Sequence, residues 1–251
     1  MEPATQVFQY KEREVELPNG YVDSDGTLYK TVIVRELSGE EEDLLLDQSE
    51  ARNGTTITNI LNKICKLKDK PSIKIAADLM VVDQFYLLVQ ARMLTYGKNY
   101  NFEVTCQSQP CGKISRINLD LESLEFKPSP NPLSLTESVL LPNSGLQVVF
   151  KKNQGKDQGN LSKIQQGSAK DKVSQLLQYK VVEITKDGVK HPKSLIKSLP
   201  GEDRRILREA MRKSEGDAET VINVNCFHCG HSMKAEMPFD HAFFCLTADE
   251  S

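Results

Sequence analysis

The placement of the cysteines restricts this chain more than any other feature. Six are present, and four of them stand in two pairs, Cys106-Gln-Ser-Gln-Pro-Cys111-Gly112 and Cys226-Phe-His-Cys229-Gly230. The flanks match as well. With the first cysteine of each pair aligned, Phe102-Glu-Val104-Thr precedes Cys106 as Ile222-Asn-Val224-Asn precedes Cys226. With the second aligned, Arg116 falls on Lys234, Ile117 on Ala235 and Leu119 on Met237. Each half of the chain therefore carries strand, Cys-turn-Cys-Gly, strand, which reads as a short internal repeat.

Such a turn aims two thiolates to one side, and the glycine after the second cysteine permits the positive φ that turns backbone N–H groups toward the sulfurs. Two units face to face offer four thiolates in a tetrahedron, the closed set that suits a structural Zn²⁺. The predicted ligands are Cys106, Cys111, Cys226 and Cys229. Metal closure of so long a loop removes unfolded-state entropy worth about 4–5 kcal/mol, on the scale of long disulfide loops. Three other readings compete. A redox Cys-x-x-Cys pair needs a helix N-terminus or a neighbouring cation, whereas these flanks read as strands. Cysteines also serve as small apolar core residues without a metal, and His228 or His231 can replace one thiolate. Four-cysteine ligation ranks above these. Cys65, in an apolar helical stripe, and Cys245, in an aromatic tail, read as packing residues.

Along the rest of the chain, Val7 to Leu17 partly alternates as a strand, with turn signals at Pro18-Asn19-Gly20 and Asp23-Ser24-Asp25-Gly26. Leu28 to Leu37, rich in β-branched residues, makes a second strand and completes a hairpin. Ser38 and Glu41 fit a capping box ahead of a leucine run, which ends at Asn53-Gly54. Ile57, Ile60, Leu61, Ile64 and Cys65 form the stripe of a second helix. A third spans Val81 to Thr95, with Val82, Phe85, Tyr86, Val89 and Met93 inward and Gly97 as its C′ residue. Pro128 to Pro132 is a break, and Val139–Leu141 with Leu146–Phe150 is a hairpin. Lys151 to Lys172 is polar and reads as a mobile loop or insert. Val173, Leu176, Leu177, Val181 and Ile184 predict another helical face. A last helix follows Pro200-Gly201, with Ile206, Leu207, Ala210 and Met211 buried.

Together these elements predict an α+β fold, a helical bundle and short β-hairpins joined by a zinc-ribbon-like knuckle pair. It divides into residues 1–126, 127–172 and 173–251, which form one domain tied through the metal. The 251 residues suffice for a real core.

Composition excludes several classes. Lys+Arg 32 against Asp+Glu 35 is too balanced for a strongly basic nucleic-acid binder. Apolar runs fall far short of the ~20 residues that span a bilayer, and Met1 to Tyr10 shows no secretory pattern. A reducing compartment is expected, which favours thiolate ligands over disulfides. No phosphate loop, dinucleotide fingerprint, nucleophile elbow or His-Glu-x-x-His motif is present, so neither catalytic residues nor a small-molecule substrate are predicted.

Several phrases resemble one family. They are Val34-Arg-Glu-Leu-Ser-Gly-Glu-Glu-Glu, Asp83-Gln-Phe-Tyr-Leu-Leu-Val-Gln-Ala-Arg92-Met-Leu-Thr-Tyr96-Gly97, Tyr100-Asn-Phe102-Glu-Val-Thr-Cys106, Cys226-x-x-Cys229-Gly and Phe243-Phe244. Over roughly Leu28 to Phe244 the chain is similar to the baseplate hub proteins of contractile-tailed phages, the T-even-type baseplate protein family. Its first knuckle departs from the usual spacing by two extra residues, and the Lys151–Lys172 stretch is additional length. The resemblance implies a structural or assembly protein, not an enzyme. It would be assembled in the host cytoplasm and located in the virion tail baseplate, with other baseplate, hub, spike or tail-tube proteins as partners. Candidate contact segments are Met1–Gln6, Pro128–Pro132 and Lys151–Lys172. A zinc-ribbon nucleic-acid or transcription adaptor is the alternative; it would show a basic stripe, where the ribbon flanks set Lys113, Arg116 and Lys234 against Glu103, Asp120 and Glu236.

Overall fold

The structure is a computed structural model that describes residues 9–46, 54–167, 171–239 and 241–244. Cys245, the arm Met1–Gln6 and the start of the first predicted strand lie outside the described residues. The fold is α+β, built from several small antiparallel sheets with helices laid over them.

Strands β1 (Glu12–Val22), β2 (Leu28–Arg35) and β3 (Cys65–Leu67) form one antiparallel sheet in that order. Asp23 closes the β1–β2 loop, its Oδ1 accepting from the N–H groups of Asp25 and Thr27, each at 3.0 Å. Pro18-Asn19-Gly20 is not the predicted turn. It lies within β1 as an irregularity between Glu16 and Tyr21. The reason is a buried polar knot. Asn19 N–H and Nδ2 donate to the two carboxylate oxygens of Asp83 at 2.8 and 3.1 Å, and Asn19 Oδ1 accepts from Ser129 N–H at 2.6 Å.

Helix α1 (Gly39–Leu46) starts on the predicted cap: Ser38 N–H and Oγ both donate to Glu41 Oε2, at 3.0 and 2.7 Å. The Glu41 carboxylate also takes both Arg35 terminal nitrogens at 3.1 Å, so these bonds hold its pKa down against the desolvation that would raise it. Helix α2 (Thr56–Ile64) stops one residue earlier than expected. Cys65 is a core residue, but it pairs with Val34 as the first residue of β3 and does not continue the helix. Helix α3 (Val81–Tyr96) buries Val82, Val89 and Met93 of the predicted stripe but leaves Phe85 and Tyr86 half-buried; because β1, β2 and α2 all pack on it, Asp83, Gln84, Gln90 and Arg92 are buried with its apolar residues.

Burial in this knot moves one titration. Desolvation raises the Asp83 carboxyl to about 6, although the Asn19 donors favour its charge. The folded state therefore holds a proton that the unfolded state releases near pH 4, so the contribution of Asp83 to stability is fully present below that pH and is lost as pH rises through about 6. Carboxylates with lowered pKa, such as Glu41 and Asp203, lose their contribution only at lower pH. Unfolding free energies from urea denaturation between pH 4.5 and 6.5 are expected to fall by at most about 2 kcal/mol; a rise over that interval contradicts the assignment.

The second half is built on four strands, β7 (Thr136–Leu141), β8 (Leu146–Lys151), β9 (Val181–Lys186) and β10 (Val189–His191), in the order β10-β9-β8-β7. The segment predicted as a polar loop is largely ordered structure. Lys151 ends β8, a 3-10 turn covers Gly155–Asp157, α4 spans Gln158–Gln166, and Lys172 opens α5 (Lys172–Lys180). Low apolar content misled because hydrogen bonds strap this segment to the first half. Gly155 N–H donates to Leu79 O at 3.0 Å and Lys156 N–H to Ala77 O at 2.8 Å. The predicted helical face also breaks: Val181 and Ile184 lie in β9, where β-branched neighbours and pairing with β8 outweigh the helical spacing. Helix α6 (Gly201–Ser214) packs against β7, with Leu207 and Met211 of its predicted stripe buried and Ile206 and Ala210 at its margin half-buried.

The proline-rich segment is likewise a strap. Ser129 is buried; its Oγ donates to Ser214 O at 2.6 Å and accepts from Lys152 Nζ at 2.9 Å. Two hydrophobic clusters result, one around α3 and the other between the four-stranded sheet, α5 and α6. The sequence suggests a helical bundle, but the longest helices chiefly cover sheets: α3 lies on β1 and β2, and α6 on β7.

The strap makes Gly155 sensitive. A Cβ there would overlap Gln84 Nε2 and the Ala76 carbonyl oxygen. Gly155→Ala is expected to cost about 1–3 kcal/mol through overpacking, read as a lower urea midpoint, whereas Gly201→Ala, with no atom within 4 Å of its Cβ position and no positive φ, meets neither clash nor backbone strain.

Candidate metal centre

Two hairpins build the site. Strands β4 (Asn99–Thr105) and β5 (Ile114–Asp120) form one, and β12 (Val221–Asn225) and β13 (Ser232–Glu236) the other, while the two-residue strands β6 (Phe126–Lys127) and β11 (Asp217–Ala218) pair with each other. The repeat seen in the sequence is structural. Phe102 pairs with Ile117 and Ile222 with Ala235; Glu103 pairs with Arg116 and Asn223 with Lys234. These are the positions the alignment matched. Both knuckles close with the same bond from the first cysteine to the residue two beyond the second: Cys106 N–H to Lys113 O and Cys226 N–H to His231 O, each 2.9 Å. The extra residues of the first turn are absorbed at Ser108, whose carbonyl accepts from the N–H groups of Cys111 and Gly112 at 3.0 and 3.1 Å. Gly112 and Gly230 sit at φ 56° and 72°, the left-handed region that the motif requires.

The fold brings all four predicted cysteines together, their sulfurs lying within 4.8 Å of one another. Cys106 Sγ is 3.7 Å from Cys229 Sγ, and Cys111 Sγ is 3.8 Å from Cys226 Sγ. A regular tetrahedron with Zn–S bonds of about 2.3 Å has edges of about 3.8 Å, so these separations fit zinc and are far longer than a disulfide bond. Cys106 and Cys226 are buried, Cys111 is half-buried and Cys229 is exposed.

The surroundings are arranged for thiolates. His228 N–H points at Cys226 Sγ from 3.4 Å and Ser115 Oγ donates to it at 3.6 Å. The His228 amide foremost, with Ser115 and other donors, draws Cys226 down to about 6. Cys106 moves the other way. A Ser108 amide favours its thiolate, but burial and the neighbouring thiols push it up to about 12. A metal ion held by these sulfurs would displace the remaining thiol protons.

Neither histidine joins the sulfur set. His228 Nε2 lies 3.1 Å from Ile114 O, which ties the knuckles together, and His231 is exposed. The sequence reading overlooked Ser115. It is buried, bonds Cys226 and accepts from Phe227 N–H at 3.3 Å. Its only sequence signal is a small hydroxyl residue on the inward-facing row Ser115, Ile117, Leu119 of β5.

At the opposite end of the β4–β5 hairpin from the cysteines lies a buried cation. Arg92 Nε donates to Phe243 O at 3.2 Å, and its terminal nitrogens donate to Gly97 O at 2.7 Å and Asn99 O at 3.4 Å. The guanidinium lies over the rings of Tyr96, Tyr100 and Phe243. It joins the end of α3, the start of β4 and the short helix α7 (His241–Phe244).

The family model described as T4 bacteriophage base plate protein matches residues 13–245. The chain belongs to that family. No curated protein and no solved structure matches it. The match spans both hairpins, the Arg92 anchor and both hydrophobic clusters, so membership in this baseplate family covers the described architecture and not the knuckles alone. No helix among the described residues is long and apolar enough to cross a membrane.

Proposed function

We propose that this baseplate-family chain is a non-enzymatic structural or assembly component of the baseplate hub, and that Zn²⁺ held by Cys106, Cys111, Cys226 and Cys229 clamps its two hairpins. The observation that carries the reading is the cluster of four sulfurs within 4.8 Å of one another, two of its edges at 3.7 and 3.8 Å, within a chain of this family. Four protein ligands leave no open coordination position, so the metal supplies cohesion and no Lewis-acid chemistry. The three stretches of the sequence then act as one body with its ends tied through the metal. That body offers a rigid surface to neighbouring hub, spike or tail-tube proteins. Assembly in the reducing host cytoplasm keeps the thiols available for zinc.

The charge pattern favours protein partners over nucleic acid. On the first hairpin exposed Glu103 stands across from exposed Arg116, and on the second, exposed Lys234 is followed two residues on by exposed Glu236. Neither hairpin presents a basic stripe.

A tagged chain, expressed during infection and recovered under native conditions, is expected to bring down baseplate intermediates. Recovery free of every baseplate and tail protein contradicts the proposal.

A further inference from the structure

The four-stranded sheet has two unlike edges. Strand β10 has three residues, contains Lys190 and runs into Pro192, features that discourage pairing with another chain. Strand β7 has six residues, Thr-Glu-Ser-Val-Leu-Leu, with no Lys, Arg or Pro and a continuous register against β8. Its one charge is turned away from the outer face. Glu137 stands opposite buried Phe150 and pairs with Lys152 Nζ at 3.2 Å. The outer row is Thr136, Ser138 and Leu140, with Leu140 63% exposed.

The backbone is oriented to match. Hydrogen-bonded and non-bonded pairs alternate along an antiparallel ladder. Lys152 N–H donates to Leu135 O at 2.9 Å, so Glu137, Val139 and Leu141 bond β8. The peptide groups of Ser138 and Leu140 therefore face the open edge, where no backbone group among the described residues pairs with them.

We propose that this edge is an interface and that its occupant is β7 of a second copy of the chain, antiparallel about a two-fold axis through Ser138. A two-fold axis perpendicular to the sheet keeps each side chain on its own face, which requires pairing of like-parity residues. Centred on Ser138, it sets Leu140 against Thr136 of the partner subunit and Ser138 against its own copy. Inside, Glu137 meets Val139 of the partner subunit, so no like charges face each other. An outer row without charge, and a two-fold register that sets Glu137 against an uncharged residue, are what select a second copy. The pairing continues two four-stranded sheets into one of eight, and it is independent of the metal reading because β7 lies outside the knuckles.

Sedimentation velocity of the full chain in zinc-containing reducing buffer, over a concentration series, tests this. The wild type is expected to associate to a dimer. Leu140→Lys places a charge on the edge and Ser138→Pro removes an outward N–H; each is expected to weaken dimerisation at least tenfold while circular dichroism stays unchanged. Ser138→Cys, oxidised mildly after zinc loading, is expected to give a covalent dimer that the wild type does not form. A wild type that stays monomeric at every concentration overturns the proposal. So does a dimer that both edge variants leave intact and Ser138→Cys fails to cross-link.

Discussion

Cys226→Ser is expected to leave a chain that does not complete its fold. Apparent zinc-binding free energies in small four-ligand sites are about 10–16 kcal/mol, as large as the whole net stability of a domain, about 5–15 kcal/mol. Here that energy holds two short hairpins that contribute Phe102, Ile117, Val224 and Met233 to the larger hydrophobic cluster. Without the metal, the thiols crowd together with their protons and the hairpins lose what joins them. The expected signs are loss of the cooperative thermal transition, binding of an apolar dye and aggregation, with chelation of the wild type giving the same result. Cys65→Ala separates this from cysteine loss in general. Cys65 is buried outside the sulfur cluster, and burial holds its thiol well above the ordinary range. That variant is expected to lose only packing energy and to keep its metal. Equal damage from both variants contradicts a special role for the cluster.

Arg92→Ala is expected to have the second-largest effect, a loss of about 3–5 kcal/mol, the scale for breaking a buried charged network. Three carbonyl oxygens, of Gly97, Asn99 and Phe243, lose a charge-assisted donor together, and the rings of Tyr100 and Phe243 lose the cation they face. Arg92→Lys is expected to recover only part of this, because a single ammonium does not reproduce a planar fork aimed at three acceptors. Urea denaturation in saturating zinc gives both values. Zinc content should stay unchanged in the folded fraction, since none of the three acceptors is a cysteine ligand.

Local signals in the sequence were legible where short-range physics dominates. The capping box at Ser38 and Glu41, the end of α3 at Gly97 and the β7–β8 hairpin follow from residues a few positions apart. The cysteine site was legible for a different reason: the repeat places matched residues in matched register, so Phe102 with Ile117 predicts Ile222 with Ala235. What stayed hidden depends on partners far along the chain. Asn19-Gly20 is a strong turn signal until Asp83 and Ser129 engage it. The stretch after Lys151 is held with few apolar residues because backbone hydrogen bonds tie it to Ala77 and Leu79. Val181 and Ile184 share a helical face on paper, yet pairing with Phe150 and Val148 places them in a sheet. Ser115 had no signal beyond its inward position, since its importance comes from a sulfur more than a hundred residues away.

The most direct test of the clamp is metal stoichiometry. Protein expressed without added metal, purified in reducing buffer and assayed by elemental analysis alongside its mass is expected to contain one zinc ion per chain, lost in Cys226→Ser. A folded, monodisperse wild-type chain that carries no zinc contradicts the account.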